Sequence, residues 1–203
     1  YQCDARGILV NGDIALYRAK AMGRNRYEFF TQNLQAEIIS HKRTADEVLA
    51  GIDNHEFVTW YQPQFDAQTS RLTGVEALVR WRHPHHGILA PDRFLKIAED
   101  LNVASTLDHI VLETVLKDKV RWAQMGLHVP KVSVNVSSRR LHDEGLLEAL
   151  NQLDIRPGEI SFELVESIFL DEHEDAAANN LEQTKALGID IEIDDFGTGH
   201  TSI

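Results

Sequence analysis

The sequence predicts an α/β fold, organised as a largely parallel sheet or a (β/α) barrel. From residue 131 onward, short segments rich in β-branched residues alternate with amphipathic helical segments. This alternation is the pattern of strand–helix units joined by right-handed crossovers. The 203 residues are 43% hydrophobic and 26% charged, which is enough for one good-sized core or for one domain with pieces of another.

The composition excludes several classes of protein. The formal net charge of -12 argues against binding to nucleic acid polymers or an anionic membrane, because both need a basic surface. No apolar run reaches the roughly 18 residues of a membrane span, and no basic-then-apolar signal opens the chain. With Cys3 as the single cysteine, neither disulfides nor structural zinc is predicted. We expect a cytoplasmic segment without membrane contact, with any sensor or membrane segment of the parent protein lying upstream.

The first part of the chain predicts two helices and a short strand. Residues 13–21 have helical periodicity with Gly23 as a stop signal, and the apolar residues 27–30 predict a strand. One helix and one strand cannot bury themselves, so we expect them to pack on residues that precede this sequence. Residues 34–52 carry apolar positions at helical spacing and predict a charged helix that connects two domains.

The central part predicts an antiparallel pair of strands. Residues 57–65 and 74–81 are β-rich and are separated by a turn-like segment. In the second strand Glu76, Leu78 and Arg80 share one face, so Glu76 could hold a cation and Arg80 an anionic oxygen of one ligand. A Glu and an Arg four residues apart also form ordinary surface pairs on helices, and the spacing alone leaves both interpretations open.

Helices and alternating units are predicted after this pair. Pro91 suits the first turn of a helix. Ser105, with Asp108 three residues later, resembles a capping box that opens a long helix ending near Gly126. The remaining predicted elements are strands over residues 131–137, 160–166 and 189–196 and helices over residues 144–153 and 176–187.

Polar residues occupy one face of each of the three later strands, opposite an apolar face. In a barrel, one such side chain from each of four strands points inward at the carboxyl rim, where barrel active sites lie. These residues are Glu76, Asn135, Glu163 and Asp194. Their oxygen atoms suit magnesium or manganese, and Asp195 doubles the last carboxylate. The alternative is a solvated sheet face, in which the alternation is ordinary amphipathicity.

Two basic clusters carry weaker signals. His83, His85 and His86 lie in a polar loop without a cysteine partner, so we interpret them as solvated turn sequence rather than as a zinc site. Arg139 and Arg140 could contact phosphate, but a surface role is the preferred interpretation.

Four motifs in this sequence resemble those of a known family. They are Gly74-Val-Glu-Ala-Leu-Val-Arg-Trp81, Ser133-Val-Asn-Val-Ser137, Phe162-Glu-Leu-Val-Glu-Ser167 and Ile193-Asp-Asp-Phe-Gly-Thr-Gly199. Their order and spacing resemble the EAL-domain cyclic-di-GMP phosphodiesterases, and residues 13–30 resemble the end of a GGDEF domain. We therefore expect a GGDEF remnant over residues 1–31, a linker helix over residues 32–54 and an EAL domain over residues 55–203.

The resemblance implies a fold and a reaction. The fold is a TIM-like (β/α) barrel whose first strand runs antiparallel, which agrees with the predicted strand pair. The reaction is hydrolysis of one phosphodiester bond of cyclic-di-GMP to linear pGpG by a water that two magnesium or manganese ions activate. Pairing of EAL domains in the family makes a homodimer a further expectation.

The resemblance also assigns roles to residues of this sequence. It implies metal ligation by Glu76, Asn135, Glu163, Asp194 and Asp195, catalytic roles for Glu76, Asp194, Asp195 and Glu166, and substrate contacts by Arg80, Leu78 and Gln62. Glu166 would steady the loop of residues 197–199. Val165 replaces a threonine that is common in the family, and residues 200–202 also depart from the common pattern, which bears on the coupling of that loop.

Two features of the sequence indicate whether the protein is active: where the sequence ends within the family pattern, and which predicted metal ligands it retains. The sequence ends before the family's later strands, so we expect it to be the first part of a barrel from a longer protein and inactive by itself. The alternative function is that of a catalytically inactive EAL domain that binds cyclic-di-GMP as a receptor. Retention of Glu76, Asp194 and Asp195 favours the enzyme.

Overall fold

The computed structural model describes residues 5–143, 145–165 and 174–194. The chain divides into two compact units, Tyr1–Ala50 and Gly51–Ile203. Within the described ranges, no helix is both long enough and apolar enough to cross a membrane.

The first unit is built from helices. Helix α1 spans Ala5–Ala21 and helix α2 spans Gln32–Asp53, the latter continuing past the boundary between the units. Arg18 forms an ion pair with Glu37 at 2.6 Å. Gly23 has a φ of +99°, the left-handed conformation that ends many helices, as predicted. The predicted strand over residues 27–30 is wrong, because no described residue pairs with this segment and a strand needs a hydrogen-bonded neighbour.

The second unit contains a mixed six-stranded sheet. Its strands are β1 (Phe57–Phe65), β2 (Leu72–His83), β3 (Gly87–Leu89), β4 (Val132–Asn135), β5 (Ile160–Val165) and β6 (Asp190–Asp194). The order along the sheet is β1-β2-β4-β5-β6, and β3 pairs with the end of β2. β1 and β2 are antiparallel, whereas β2, β4, β5 and β6 are parallel. The predicted α/β class and antiparallel first strand are confirmed.

Helices connect the parallel strands. They are α3 (Leu95–Asp100), α4 (Ala104–Gln124), α5 (Ser138–Leu141), α6 (Leu146–Asn151) and α7 (Glu174–Ala186). Pro91 begins a short 3-10 turn, Pro91–Arg93, and the predicted helix follows directly as α3. The short helix α5 was not predicted, because four residues are too few to show a helical period.

The apolar faces of β4 and β5 form the core together with α4. The most buried apolar residues of the two strands, each at most 2% exposed, are Val132, Val134, Ile160, Phe162 and Leu164. Val111, Leu112 and Val115 of α4 belong to the same cluster. Burial of each such side chain stabilises the fold by about 1.5–3 kcal/mol. Since alternate strand residues point to opposite faces, this packing turns the polar residues of the same strands towards the other face.

The predicted capping box of α4 is wrong. Val103 occupies the N-cap position, and no side-chain hydrogen bond caps the helix there. Asp108 does not turn back to the start of α4, because its carboxylate accepts two hydrogen bonds from Ser137 instead.

Two basic residues assigned to the surface are buried. His83 is 4% exposed, packs with its ring centroid 4.7 Å from that of Trp81, and accepts hydrogen bonds at Nδ1 from the backbone N–H groups of His85 and His86. Its neighbours therefore make it a core residue rather than solvated turn sequence. Arg140 is also buried, beside the ring of His109, whereas Arg139 is exposed as predicted.

Substitution of Gly188 by alanine should destabilise the protein more than the same change at Gly126. Both glycines have positive φ, +84° and +75°, where a side chain costs about 1–2 kcal/mol. A Cβ at Gly188 would also lie 2.6 Å from Cα of Pro157, whereas nothing lies within 4 Å of one at Gly126. Urea denaturation should therefore show an additional loss of about 1–3 kcal/mol for Gly188→Ala. Equal losses for the two variants would contradict this account of the contact.

Candidate functional site

The ends of three neighbouring strands bring predicted site residues together. Asn135 on β4 and Glu163 on β5 are direct neighbours in the parallel register. The Asn135 side-chain Nδ2 donates a hydrogen bond to Oε1 of Glu76 on β2 at 2.9 Å. Asn135 lies 59 residues after Glu76 and 28 residues before Glu163 in the chain. The parallel pairing of the strands is therefore what brings these residues together.

Negative charge is concentrated around Glu163. Glu163 is 9% exposed, and burial raises the pKa of its carboxyl group from 4.5 to about 7. The charges of Glu76, Glu192 and Asp194 raise this pKa further, while a hydrogen bond with Ser133 opposes the rise. The Glu163 carboxyl group is therefore buried in an acidic environment, which disfavours its ionised form.

Asp194 lies two residues beyond this row of residues on β6. It pairs with Val165 in the β5–β6 ladder, two residues beyond the pairing of Glu163 with Glu192. Asp194 is exposed and is near enough to raise the pKa of Glu163. Asp195 and Glu166, the other two predicted catalytic residues, lie outside the described residues.

Glu192 is a residue of this site that the sequence analysis did not assign. It forms an ion pair with Lys131 and accepts a hydrogen bond from Oγ of Ser133 at 3.2 Å. Ser133 is also hydrogen-bonded to Ser161 at 2.9 Å, and both serines are buried. Glu192 is the direct register partner of Glu163, and the two serines pair with each other two residues earlier in their strands. The signal of Glu192 in the sequence was the period-two spacing of Glu192 and Asp194.

The predicted substrate residues lie on the antiparallel pair of β1 and β2, here called the ribbon, which extends beyond the row of carboxylates. β2 pairs with β4 only as far as Ala77 but stays paired with β1 as far as Trp81. Leu78 and Arg80 therefore stand past the last pairing with β4. Gln62 on β1 is directly opposite Glu76 and shares its face.

Arg80 lies against an aromatic ring of the same ribbon. Its guanidinium carbon is 5.5 Å from the ring centroid of Trp60, and its Nη1 donates to the carbonyl oxygen of Val79 at 2.8 Å. Trp60 was not singled out in the sequence, although its place two residues before Gln62 puts both on one face.

Asp108 holds the turn that follows Asn135. Its Oδ2 accepts hydrogen bonds from the backbone N–H of Ser137 at 3.0 Å and from Oγ of Ser137 at 2.6 Å. Burial raises the pKa of Asp108 to about 6, although the bonds from Ser137 and the charge of Arg140 oppose the rise. Since Ser137 is two residues after Asn135, Asp108 positions the chain that carries this amide.

The donor atoms of the site suit a hard divalent cation. Carboxylate and amide oxygens from Glu76, Asn135, Glu163 and Asp194 are the ligands that magnesium and manganese favour. Among residues 5–143, 145–165 and 174–194, no group of three or more His, Cys, Asp and Glu side chains is already arranged to hold a metal. The raised pKa of Glu163 fits such a role, because a cation would favour its ionised form.

Comparison with known proteins decides the family. The sequence model of the EAL domain family matches residues 45–203. The chain belongs to the EAL domain family. It is 32% identical to the bifunctional diguanylate cyclase/cyclic di-GMP phosphodiesterase MucR of Pseudomonas aeruginosa, over 97% of this chain and 29% of that protein. It is 30% identical to the cyclic di-GMP phosphodiesterase PdeR of Escherichia coli, over 98% of this chain and 30% of that protein.

A solved structure of a relative has the same EAL fold. The MucR phosphodiesterase in complex with c-di-GMP aligns with a TM-score of 0.70 at 32% identity, covering 79% of this chain and 66% of that one. The resemblance inferred from the motifs and the TIM-like barrel fold of this EAL chain are thereby confirmed. The chain spans less than a third of the length of the curated relatives it matches.

The charge on Glu163 should destabilise the metal-free protein above neutral pH. Because its pKa is raised to about 7 in the folded protein, ionisation costs stability as pH rises from about 4.5 to 7, and the cost is then constant. Glu163→Gln should therefore raise the melting temperature in EDTA most at pH 8 and very little at pH 4.5. Thermal scans across this range test the effect, with Glu148→Gln at an exposed position as the control. A gain that does not depend on pH would contradict it.

Removal of the Asp108 carboxylate should weaken the site through Asn135. Asp108→Ala leaves two donors of Ser137 without this acceptor and should cost about 1–3 kcal/mol of stability. It should also weaken binding of manganese, measured by calorimetry. The matched control is Asp118→Ala on the same helix, which removes the 2.7 Å hydrogen bond from the Tyr61 hydroxyl. Loss of stability with unchanged manganese affinity in Asp108→Ala would make Asp108 purely structural.

Proposed function

We propose that the intact protein hydrolyses one phosphodiester bond of cyclic di-GMP to give linear pGpG in bacterial second-messenger signalling. The observation that carries this proposal is the convergence of carboxylate and amide oxygens at one sheet rim, on the face that also carries Arg80. The names of MucR and PdeR, both cyclic di-GMP phosphodiesterases, support the substrate.

The acidic residues would hold two divalent cations, Mg²⁺ or Mn²⁺. Such ions supply a water of lowered pKa and neutralise charge on phosphoryl oxygens when bound. In this proposal Glu76, Asn135, Glu163 and Asp194 hold one ion, and Asp195 serves the second ion or its water. Burial, and then the charges of the neighbouring acidic residues, raise the pKa of Glu163, and a bound cation would offset both effects.

The ribbon residues would hold the substrate. The Arg80 guanidinium gives a charge-assisted hydrogen bond to a phosphate oxygen, on the same face as the acidic residues. Leu78, half-buried beside it, forms an apolar floor for the nucleotide, and Gln62 contacts the ligand from β1. Glu166 and residues 197–199 lie outside the described residues, and in this proposal Glu166 would steady that segment.

The chain would combine parts of two signalling domains. We infer that residues 1–31 are the end of a GGDEF domain, residues 32–54 a connecting helix and residues 55–203 the first part of an EAL domain. The bifunctional name of MucR, which matches this chain over 97% of its length, supports that arrangement. The protein would act in the cytoplasm, and a homodimer is part of the proposal.

The Glu76→Ala variant of the intact protein should lose hydrolysis of cyclic di-GMP. Residues that merely support metal ligands are worth about 10–100-fold in activity, so removal of a proposed ligand should lower turnover by more than about 100-fold. Chromatographic detection of pGpG, with Mg²⁺ or Mn²⁺ and with EDTA, measures this. Glu182→Ala, at an exposed position of α7, should keep wild-type activity.

Tight binding of cyclic di-GMP by the wild-type protein without any pGpG would reject the enzyme. The protein would then be a receptor for this ligand. Product formation that persists in EDTA would reject the proposed cation requirement.

A further inference from the structure

Trp60 is an exposed aromatic residue on the face of the proposed substrate site. It is 52% exposed, whereas Trp81 is 1% exposed and Trp122 packs edge-on against Tyr61 with their ring centroids 4.7 Å apart. An indole ring gains much from burial, and the other two tryptophans of the chain have such packing. Trp60 thus differs from the other two tryptophans, and its ring lies on β1 at the end of the described strand order.

The pairing of β1 with β2 places Trp60 beside both proposed substrate contacts of β2. Trp60 is directly opposite Leu78, in the same ladder that sets Gln62 opposite Glu76. Cross-strand partners share a face, so the indole stands on the side of the sheet that carries the acidic residues. At a rise of about 3.4 Å per residue, Arg80 lies roughly 10 Å past Ala77, the last β2 residue paired with β4.

Arg80 and Trp60 together present a cation and a flat apolar surface. The guanidinium carbon lies 5.5 Å from the indole centroid, within the range of a cation–π contact. This contact holds the arginine on one side of the ring. A ligand with a phosphate next to a planar heterocycle could engage both groups at once, because bases stack on aromatic side chains.

We propose that Trp60 stacks against one guanine base of the cyclic dinucleotide while Arg80 binds the adjacent phosphate. This inference rests on the proposed function and adds to it a residue that binds a base of the ligand rather than its phosphates. The base would cover the exposed part of the indole, and Leu78 across the strand would border the same surface. A ligand with the phosphates but without the bases would lose this contact.

Intrinsic fluorescence of the intact protein reports on the stacking directly. Rapid mixing with cyclic di-GMP and Mg²⁺ should quench tryptophan emission before product forms. Trp60→Phe should abolish this quench yet bind within about fivefold of wild type, because phenylalanine also stacks. Trp60→Ala should weaken binding by about 5–150-fold, the range expected for one base stack, and should raise KM more than it lowers kcat. Trp122→Phe, with a ring packed elsewhere, should keep the quench.

The outcomes separate this inference from the proposed function. If cyclic di-GMP binds and is hydrolysed but the quench persists in Trp60→Phe, the stacking role is overturned and the phosphodiesterase stands. Unchanged affinity in Trp60→Ala would overturn it in the same way. If the wild-type protein neither binds nor hydrolyses cyclic di-GMP, both fail together. An emission of Trp60 that follows protein concentration rather than ligand would make the ring a contact between copies and overturn the inference.

Discussion

The parallel pairing of β2, β4, β5 and β6 is the constraint on which the rest of the second unit depends. One face of β4 and β5 is buried against α4 at nearly zero exposure. A shift of one residue in any of these strands would turn its apolar residues to the opposite face and its acidic residues into the core. The burial of residues such as Val132 and Ile160 therefore fixes the row in which Asn135, Glu163 and Glu192 stand side by side.

The strands that carry this row are well packed, but its acidic side chains lie in an unfavourable electrostatic environment. Burial and three neighbouring carboxylates raise the pKa of Glu163, and unpaired buried charge is costly. The fold offsets part of the repulsion from below, where Lys131 pairs with Glu192 and two buried serines connect β4 to β5. Bound cations would offset the remaining repulsion between the acidic side chains. In the proposed function, this need for cations would make activity depend on a metal.

The ribbon of β1 and β2 separates the basic part of the site from the acidic part. Because β2 continues after its pairing with β4 has ended, Arg80 stands away from the carboxylates and leans on Trp60 instead of forming an ion pair with Glu76. In the proposed function, a substrate phosphate would reach the arginine while its ester bond lies nearer the row of acidic residues. The antiparallel first strand places Gln62 and Trp60 on the same face, where both would contact the substrate in the proposed function.

The sequence by itself determined the elements whose signal is local. Period-two alternation identified β4, β5 and β6 and the faces of their residues, helical spacing identified α2, and the turn after residue 65 indicated the antiparallel pair. The motifs also identified the family and the residues that the strands bring together. These features depend on neighbours within one element, so they can be read without knowledge of the partners.

The tertiary structure alone decided which partner each polar side chain takes. Asp108, which the local spacing assigned to a helix cap, bonds to Ser137 29 residues away, and His83 and Arg140 are buried by elements distant in sequence. The predicted strand over residues 27–30 lacks a paired strand among the described residues. The positions of Glu192 and Trp60 beside the other predicted site residues follow from strand register. Hydrogen bonds and burial depend on distance in space, and sequence spacing does not carry that distance between elements.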